Sequence, residues 1–444
     1  GKTGGKSPRG LCRRGTLYIS LVEVLTQKVV QLVEDGSGWD QKHTNSVIYE
    51  HIRRAMKYPL ACDTWDDREI EAIQKVIKSG RYTMGPHVKQ FEKEFARHFM
   101  CKDAVMVNSG STANLLMLAT LAEKYKLRGN IIAPAVSWST TYFPLHQYNF
   151  TINFVDIDKH TLNIDPEKVE AAINPETCAI FAVNLLGNCC EYKKLKEIAK
   201  RRGLMLIEDN CESLGSITDT QEHAGTVGQL GSYSFFFSHH LQTMEGGMIA
   251  CKNNDDADFI RSMRAHGWCR DLPDDNKIYK KSGDKFKDSF TFIAPGYSVR
   301  PLEMSGAIGS VQLEKWPEMR KKRVKNAEYF KEKFKDLPVT TQKEIGSSSW
   351  FGFSIVLEDK LAGHRDVVVK DLESKGVECR PIVAGNFMKN PVIEYLSFLS
   401  NGDYKNADYI HENGLFVGND VRDLKENIDL VYGIIKNTHD RLRR

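Results

Sequence analysis

Between residues 103 and 252 the chain alternates short apolar runs with longer amphipathic segments. The runs read DAVMV, NIIAPAV, INFVDI, CAIFAV, LMLIE, GSYSFFF and GMIAC. They are too short for helices, and helical segments such as EYKKLKEIAKRRG separate them. Apolar runs joined by helices are typical of strands that are buried on both faces of a mostly parallel sheet. The sequence therefore predicts an α/β fold.

The character of the sequence changes after Pro301 and divides the chain into predicted domains. A long helical region follows, which we expect to break at Pro317, and then shorter strands and helices. These features predict a small α+β domain over residues 301–444, after a large domain over residues 58–300. Residues 1–57 are an N-terminal extension, in which residues 17–33 predict an amphipathic helix too polar to span a bilayer.

Composition excludes several classes of protein. The 444 residues include 41% hydrophobic residues and carry a net charge of only +4, so the chain can bury a core. Its basic residues are spread along the chain, which argues against nucleic-acid binding. Ten scattered cysteines without a C-x-x-C pair favour reduced thiols and a cytoplasmic location, and predict no metal site.

Ligands of open α/β sheets bind beyond the carboxyl ends of the strands, and three polar stretches follow such ends. NSGSTANLL places Gly110 and Ser111 at the start of a helix, where amides and hydroxyls can hold a phosphate or simply cap the helix. Trp138 follows another strand and can stack on a planar ring or pack in the core. Asp209, with Glu212 one turn later, can pair with a pyridine nitrogen, cap a helix or bind a metal.

The fourth stretch, SFFFSHHLQTMEGG, contains Ser234 and the adjacent His239 and His240. This strand-and-turn setting would suit a lysine that carries a cofactor, yet no lysine occurs between Lys200 and Lys252. Packing or a satisfied hydrogen bond is the simplest role for either histidine.

Together these stretches, with PGYSVRPLEMSGAIG, resemble the sugar aminotransferase family (DegT/StrS-type) of fold-type I pyridoxal-phosphate enzymes. The resemblance runs from about Tyr58 to the C-terminus. Counted from Ser234, the family's cofactor lysine falls on His239. This replacement is similar to the branch of 4-keto-6-deoxyhexose 3-dehydratases. In that branch pyridoxamine phosphate brings its own amine, so a histidine base serves where a lysine would link the cofactor.

The resemblance implies a role for each matching residue. His239 is the expected base, ahead of His240, which is left to packing or a substrate contact. The expected cofactor-binding residues are Gly110, Ser111 and Ser234 for the phosphate, Asp209 for the pyridine nitrogen, Trp138 for the ring and Glu212 near the phenolic oxygen. The expected substrate-binding residues besides His240 are His266, Arg270, Tyr297 and Arg300.

The resemblance also implies partners. The loop GYSVRP is expected to reach the partner subunit's site in a homodimer, with Ser298 at a phosphate contact where the family often has Asn. The implied substrate is a nucleotide-linked sugar on a deoxysugar or lipopolysaccharide O-antigen route, and the implied amino donor is glutamate. An iron–sulfur cluster needs four thiolates, which the spacing of the cysteines does not favour. An aminotransferase and a non-catalytic sensor of cofactor or nucleotide sugar remain alternatives.

Overall fold

The predicted apolar runs form an eight-stranded sheet in the computed structural model, which describes residues 56–444. The strands lie in the order β1-β7-β6-β5-β4-β2-β3-β11. Only β7 runs antiparallel to its neighbours, β1 and β6. The strands are β1 Asp103–Val107, β2 Asn130–Pro134, β3 Thr151–Val155, β4 Thr177–Val183, β5 Met205–Asp209, β6 Leu230–Ser234, β7 Gly247–Cys251 and β11 Phe398–Ser400. The predicted α/β class with a mostly parallel sheet is confirmed.

Helices cover both faces of this sheet, which explains why its strands are apolar at consecutive positions. On β2, Ile131 belongs to one apolar cluster and Ile132 to another on the opposite face, and both side chains are fully buried. The helices before residue 264 are α1 Asp67–Ser79, α2 Pro86–His98, α3 Gly110–Ala119, α4 Ser139–Gln147, α5 Pro166–Ala172, α6 Tyr192–Arg202 and α7 Asn254–Met263. A π-helical turn, Thr120–Lys124, extends α3.

Four further strands form a second, antiparallel sheet in the order β10-β12-β9-β8. Its strands are β8 Val339–Thr340, β9 Gly352–Leu357, β10 Cys379–Arg380 and β12 Gly414–Gly418. The helices after residue 264 are α8 Lys285–Asp288, α9 Glu303–Phe334, α10 Arg365–Ser374, α11 Lys405–Asn413 and α12 Lys425–Leu442. The strand β11 also lies after Pro301 but pairs with β3 of the large sheet, and the division of the chain at Pro301 stays a prediction.

The predicted break at Pro317 is wrong, because α9 is one continuous helix of 32 residues that contains Pro317. Proline removes one backbone hydrogen bond and crowds the preceding turn, which costs about 3 kcal/mol in a helix interior. Contacts on both sides of Pro317 hold this helix in place. Before Pro317, the buried Trp316 fits against Gly215, where a β-carbon would lie 2.5 Å from the indole ring. After it, the buried Phe330 stacks on Phe353, with ring centroids 4.4 Å apart.

The predicted helix over residues 17–33 lies outside the described residues, as does all but the end of the predicted extension over residues 1–57. No helix between residues 56 and 444 is long and apolar enough to cross a membrane. Because β1 through β6 run in the same direction, their carboxyl ends meet at one edge of the large sheet. This edge carries the four polar stretches described above.

Candidate active site

Asp209 ends β5 as a buried carboxylate surrounded by neutral donors. Its Oδ2 accepts hydrogen bonds from Asn114 Nδ2 at 2.8 Å and from Thr141 Oγ1 at 2.7 Å. Its Oδ1 accepts one from the backbone N–H of Cys211 at 3.2 Å. No ion pair to Asp209 occurs among residues 56–444. A buried anion with only neutral partners is suited to a cationic ligand atom such as a protonated ring nitrogen.

The start of α3 lies against the end of β6 and brings two predicted phosphate ligands together. A β-carbon on Gly110 would lie 2.6 Å from Ser234 Cβ and 2.9 Å from Cys211 Sγ, so only glycine fits there. Ser109 caps the helix by accepting from Thr112 N–H at 3.1 Å. Ser111 is exposed, with its hydroxyl on Thr140. A helix N-terminus with serine hydroxyls beside it is a site for a phosphate group.

Trp138 lies at the N-cap position of α4, and 58% of its surface is exposed. One turn later on the same helix, Thr141 donates its hydrogen bond to Asp209. The indole therefore stands at the border of the Asp209 pocket rather than in the core, where a lone Trp is more often found. It is free to stack on a planar ring placed over that carboxylate.

His239 lies in the loop after β6, partly exposed, with its ring tautomer fixed by a hydrogen bond. Nδ1 is 2.8 Å from the backbone carbonyl of Cys211. A carbonyl can only accept, so Nδ1 carries the hydrogen and the lone pair is on Nε2. Burial by the surrounding protein lowers the pKa of His239 to about 4, against a smaller opposing effect of the Cys211 carbonyl. The ring is therefore neutral near pH 7 and presents Nε2 as a base.

His240 has the opposite environment, although it is the next residue. Its side chain is 1% exposed and packs between Trp316 and Phe351, with ring centroids 5.3 and 5.6 Å away. Nε2 lies 3.3 Å from the carbonyl of Ser349, and burial lowers the pKa of His240 well below its ordinary value. This interior position agrees with packing and does not support the substrate contact predicted for His240.

Glu212 lies in the same pocket and titrates near neutral pH. Its Oε2 accepts a hydrogen bond at 2.9 Å from the N–H of Leu186, a residue with φ of 52°. Burial raises the pKa of Glu212 to about 7, and the nearby charge of Asp209 adds to this effect. The carboxyl group is therefore present in both protonation states at neutral pH.

The segment of residues 264–300 folds back on itself beside α3. Ala265 and Ser298 form an antiparallel bridge, and the N–H of His266 donates to the carbonyl of Tyr297 at 2.7 Å. The carbonyl of Val299 accepts from the N–H of Asn108 at 3.1 Å, one residue before the cap of α3. The predicted substrate residues of this segment therefore lie near the predicted phosphate site.

Within this segment two guanidinium groups face one aromatic ring. Arg270 lies 3.5 Å and Arg300 lies 5.8 Å from the ring centroid of Trp268, and the ring of His266 is 4.6 Å away. The carboxylate beside Arg270, Asp271, is 3.7 Å away. Two further predicted residues, Tyr297 and Ser298, lie beside this group. Ser298 Oγ accepts a hydrogen bond from Arg300 at 3.3 Å, and the hydroxyl of Tyr297 is bonded to that of Tyr148 at 2.6 Å. The cluster of Trp268, Arg270 and Arg300 is a candidate site for an anionic substrate group.

Sequence reasoning missed three groups that hold the predicted residues in place. Asn114 and Thr141 bind Asp209, and the carbonyl of Cys211 binds His239. Asn114 lies one helical turn after Gly110, and helical spacing alone could have drawn attention to it. Nothing in the sequence indicates which carboxylate it meets, because Asp209 is 95 residues away.

The cysteines of the described region are all free thiols. Between residues 56 and 444, no three or more His, Cys, Asp or Glu side chains are grouped so that they could hold a metal ion. The absence of an iron–sulfur cluster stays a prediction.

Residues 63–435 match the DegT/DnrJ/EryC1/StrS aminotransferase family. The GDP-4-keto-6-deoxy-D-mannose 3-dehydratase of Escherichia coli O55:H7 is 50% identical over 388 residues, which cover 86% of this chain and all of that protein. The solved structure of E. coli GDP-4-keto-6-deoxy-D-mannose-3-dehydratase with bound hydrated PLP matches with a TM-score of 0.83 and 50% identity, over 86% of this chain and 99% of that one. A GDP-4-keto-6-deoxymannose-3-dehydratase with a trapped PLP-glutamate geminal diamine also has a TM-score of 0.83, at 49% identity over 85% and 100% of the two chains. These matches confirm the predicted family and fold type.

Proposed function

Because the chain belongs to the DegT/DnrJ/EryC1/StrS aminotransferase family, we propose that it is a vitamin B6-dependent 3-dehydratase. Its substrate is GDP-4-keto-6-deoxy-D-mannose, from which it removes the 3-hydroxyl group. The observation that carries this proposal is His239, which stands at the expected place of the cofactor lysine, with Nδ1 bonded to the Cys211 carbonyl and the lone pair therefore on Nε2. The substrate is supported by the name of the relative that is 50% identical to this chain.

The pocket fits pyridoxal phosphate or pyridoxamine phosphate. Asp209, which pairs with no cationic side chain of residues 56–444, offers its buried carboxylate to a protonated pyridine nitrogen, and Trp138 offers an exposed indole to the ring. Gly110 and Ser234 meet at the start of α3, so that a phosphate can approach the helix amides, with Ser111 beside it. Glu212 would lie near the phenolic oxygen. Pyridoxamine phosphate supplies its own amine and an electron-accepting ring when it is bound.

His239 transfers the proton in the proposed reaction. As a neutral base with its lone pair on Nε2, it accepts the proton whose removal precedes loss of the 3-hydroxyl group. The resulting imidazolium is more acidic than that of an ordinary histidine, because burial lowers the pKa of His239 to about 4. The same Nε2–H can then protonate the departing hydroxyl group, which leaves as water. One proton is taken up and one is released, and the Cys211 carbonyl holds the ring orientation during both transfers.

The cluster of Trp268, Arg270 and Arg300 would bind the diphosphate of the nucleotide sugar. His266 and Tyr297 complete this side of the proposed substrate site. In the proposed homodimer, the loop of residues 296–301 also contributes Ser298 to the neighbouring subunit's phosphate site. L-glutamate is the proposed amino donor, supported by the relative that holds a PLP-glutamate adduct.

The proposed setting is deoxysugar biosynthesis for a polysaccharide in the cytoplasm. The nine cysteines of residues 56–444, all free thiols, agree with a reducing compartment.

The test is a product analysis with purified protein, pyridoxal phosphate, L-glutamate and GDP-4-keto-6-deoxy-D-mannose. We expect nuclear magnetic resonance spectra of the sugar product to show a methylene group at C3, together with formation of 2-oxoglutarate. Protein with His239→Asn is the control and should form neither. A product that keeps its 3-hydroxyl and gains an amine at C4 would instead identify an aminotransferase.

A further inference from the structure

The loop that carries His239 has no regular secondary structure of its own. It spans residues 235–246 and is closed at its base by two backbone hydrogen bonds between its ends, Phe235 N–H to Gly246 at 2.9 Å and Thr243 N–H to Phe235 at 3.0 Å. Between these ends, His239 donates one backbone hydrogen bond to Phe236 at 2.8 Å. The position of the imidazole therefore depends on what holds the loop from outside.

Gln242, three residues after His239, is bonded to distant parts of the chain through every polar group it has. Its side chain is 3% exposed. Nε2 donates to the carbonyl of Cys62 at 2.8 Å, and Oε1 accepts from the N–H and the hydroxyl of Thr64 at 3.0 and 2.9 Å. Its backbone N–H donates to Gln312 Oε1 at 3.2 Å, and its carbonyl accepts from Trp65 Nε1 at 2.8 Å.

The partners of Gln242 are themselves fixed by a buried charge. Gln312 Nε2 donates to Glu69 at 2.7 Å, and Lys315 Nζ lies 2.7 Å from the same carboxylate. Glu69 is fully buried and also caps α1 by accepting from the N–H of Asp66. The network thus ties the loop to α1 and α9, two helices that belong to the framework rather than to the site.

We propose that Gln242 is a positioning residue, which holds the loop so that Nδ1 of His239 reaches the carbonyl of Cys211. Its kinetic consequence rests on the proposed function, but its structural consequence does not. Without the amide, the loop loses its bonds to Cys62 and Thr64. It keeps its closing backbone bonds, the backbone bonds of Gln242 to Gln312 and Trp65, and its buried apolar side chains. Displacement of a catalytic group by about 1 Å costs up to about 100-fold in rate.

Loosening of the loop also changes the environment of the imidazole ring. The charged and titratable groups that act on His239 are Asp209 on β5, Arg323 on α9 and the adjacent His240. Asp209 raises the pKa of His239 and Arg323 lowers it, while burial is the largest effect and lowers it. A loop that admits water relieves the burial, and the pKa of His239 then rises toward its ordinary value of about 6.5.

The test compares Gln242→Met with the wild-type chain by mapping histidine modification with diethyl pyrocarbonate, which attacks the unprotonated imidazole. In the wild type we expect the rate at His239 to stay constant down to about pH 5. In Gln242→Met the rate should begin to fall below about pH 6.5. Turnover should decrease about 10- to 100-fold with KM changed less than threefold.

Asn413→Leu is the matched control, since Asn413 is a buried amide that bonds Gly363 and Tyr409, far from the loop along the chain. It should lower the melting temperature and leave the pH profile of His239 unchanged. If Gln242→Met also lowers only the melting temperature, with wild-type modification and turnover, the proposal is wrong.

Thr64→Val is a milder variant for the case in which Gln242→Met does not fold. It removes the hydroxyl donor to Gln242 and keeps the backbone bond. It should shift the modification profile of His239 in the same direction by a smaller amount, and an unchanged profile would overturn the proposal. Because modification is measured on protein without cofactor or substrate, failure of the dehydratase proposal would leave this result interpretable.

Discussion

The pocket at the strand ends and the segment of residues 264–300 are built in different ways. In the pocket, Asp209 and Ser234 end buried strands, and each carries less than 10% of its surface exposed. The segment has one helix of four residues, and 87% of the surface of Phe286 and 69% of that of Phe290 are exposed. Strand ends hold the predicted cofactor-binding residues in a fixed geometry, whereas long charged side chains on a loop can adapt to a sugar nucleotide.

The comparison predicts that variants in the pocket change turnover, while variants in the segment change substrate affinity. His239→Asn should have the largest effect, about 1,000-fold lower turnover, because the Nε2 base is removed. Cofactor affinity, measured by equilibrium dialysis, should change less than threefold. His98→Asn, at the end of α2, is the control and should keep wild-type turnover. Retained activity in His239→Asn would assign the base elsewhere.

Asp209→Asn should follow, with about 100-fold lower turnover and weaker cofactor binding. The amide cannot balance a protonated pyridine nitrogen, and its NH2 group would face the donors Asn114 and Thr141. Cofactor absorbance titrations measure the affinity. Thr141→Val removes one donor and keeps the carboxylate, so a loss as large as that of Asp209→Asn would refute the charge argument.

Arg270→Ala and Arg300→Ala should each raise KM for the sugar nucleotide about tenfold with turnover changed less than threefold, because they remove a charge from the Trp268 cluster. Steady-state kinetics at two salt concentrations measures this effect. The KM of the wild type should rise more steeply with salt than the KM of either variant. Arg201→Ala, which removes an exposed ion pair with Glu170, is the control. A fall in turnover instead of affinity would erase the distinction between the two regions.

Glu212→Gln should have the smallest effect, on stability. Because the pKa of Glu212 is raised to about 7, the folded protein binds more protons than the unfolded chain between its ordinary pKa and pH 7. Its contribution to the free energy of unfolding therefore falls as pH rises through 7, by about 1 kcal/mol between pH 6 and 8. Urea unfolding at both pH values should show this loss in the wild type but not in Glu212→Gln. An equal loss in the wild type and in Glu212→Gln would mean that the pKa of the Glu212 carboxyl is not raised.

The same comparison explains what the sequence could predict. The apolar runs predicted the sheet, and the polar stretches after them predicted the edge at which a ligand binds. The resemblance to a family added roles for residues such as Asp209 and His239. The resemblance ranked His239 ahead of His240 as the base, but it left open whether His240 packs in the interior or contacts substrate. The burial of His240 could not be predicted, because it depends on Trp316 and Phe351, which are distant in sequence. The same is true of the continuous α9, since propensity at Pro317 is outweighed by tertiary packing.

The most direct test of a histidine in place of a cofactor lysine is borohydride treatment of the protein loaded with pyridoxal phosphate, followed by dialysis and absorption spectroscopy. We predict that the cofactor stays removable after reduction, and that L-glutamate converts the bound cofactor to the shorter-wavelength amine form. A cofactor that remains fixed to a lysine after reduction would contradict the account and identify an aminotransferase.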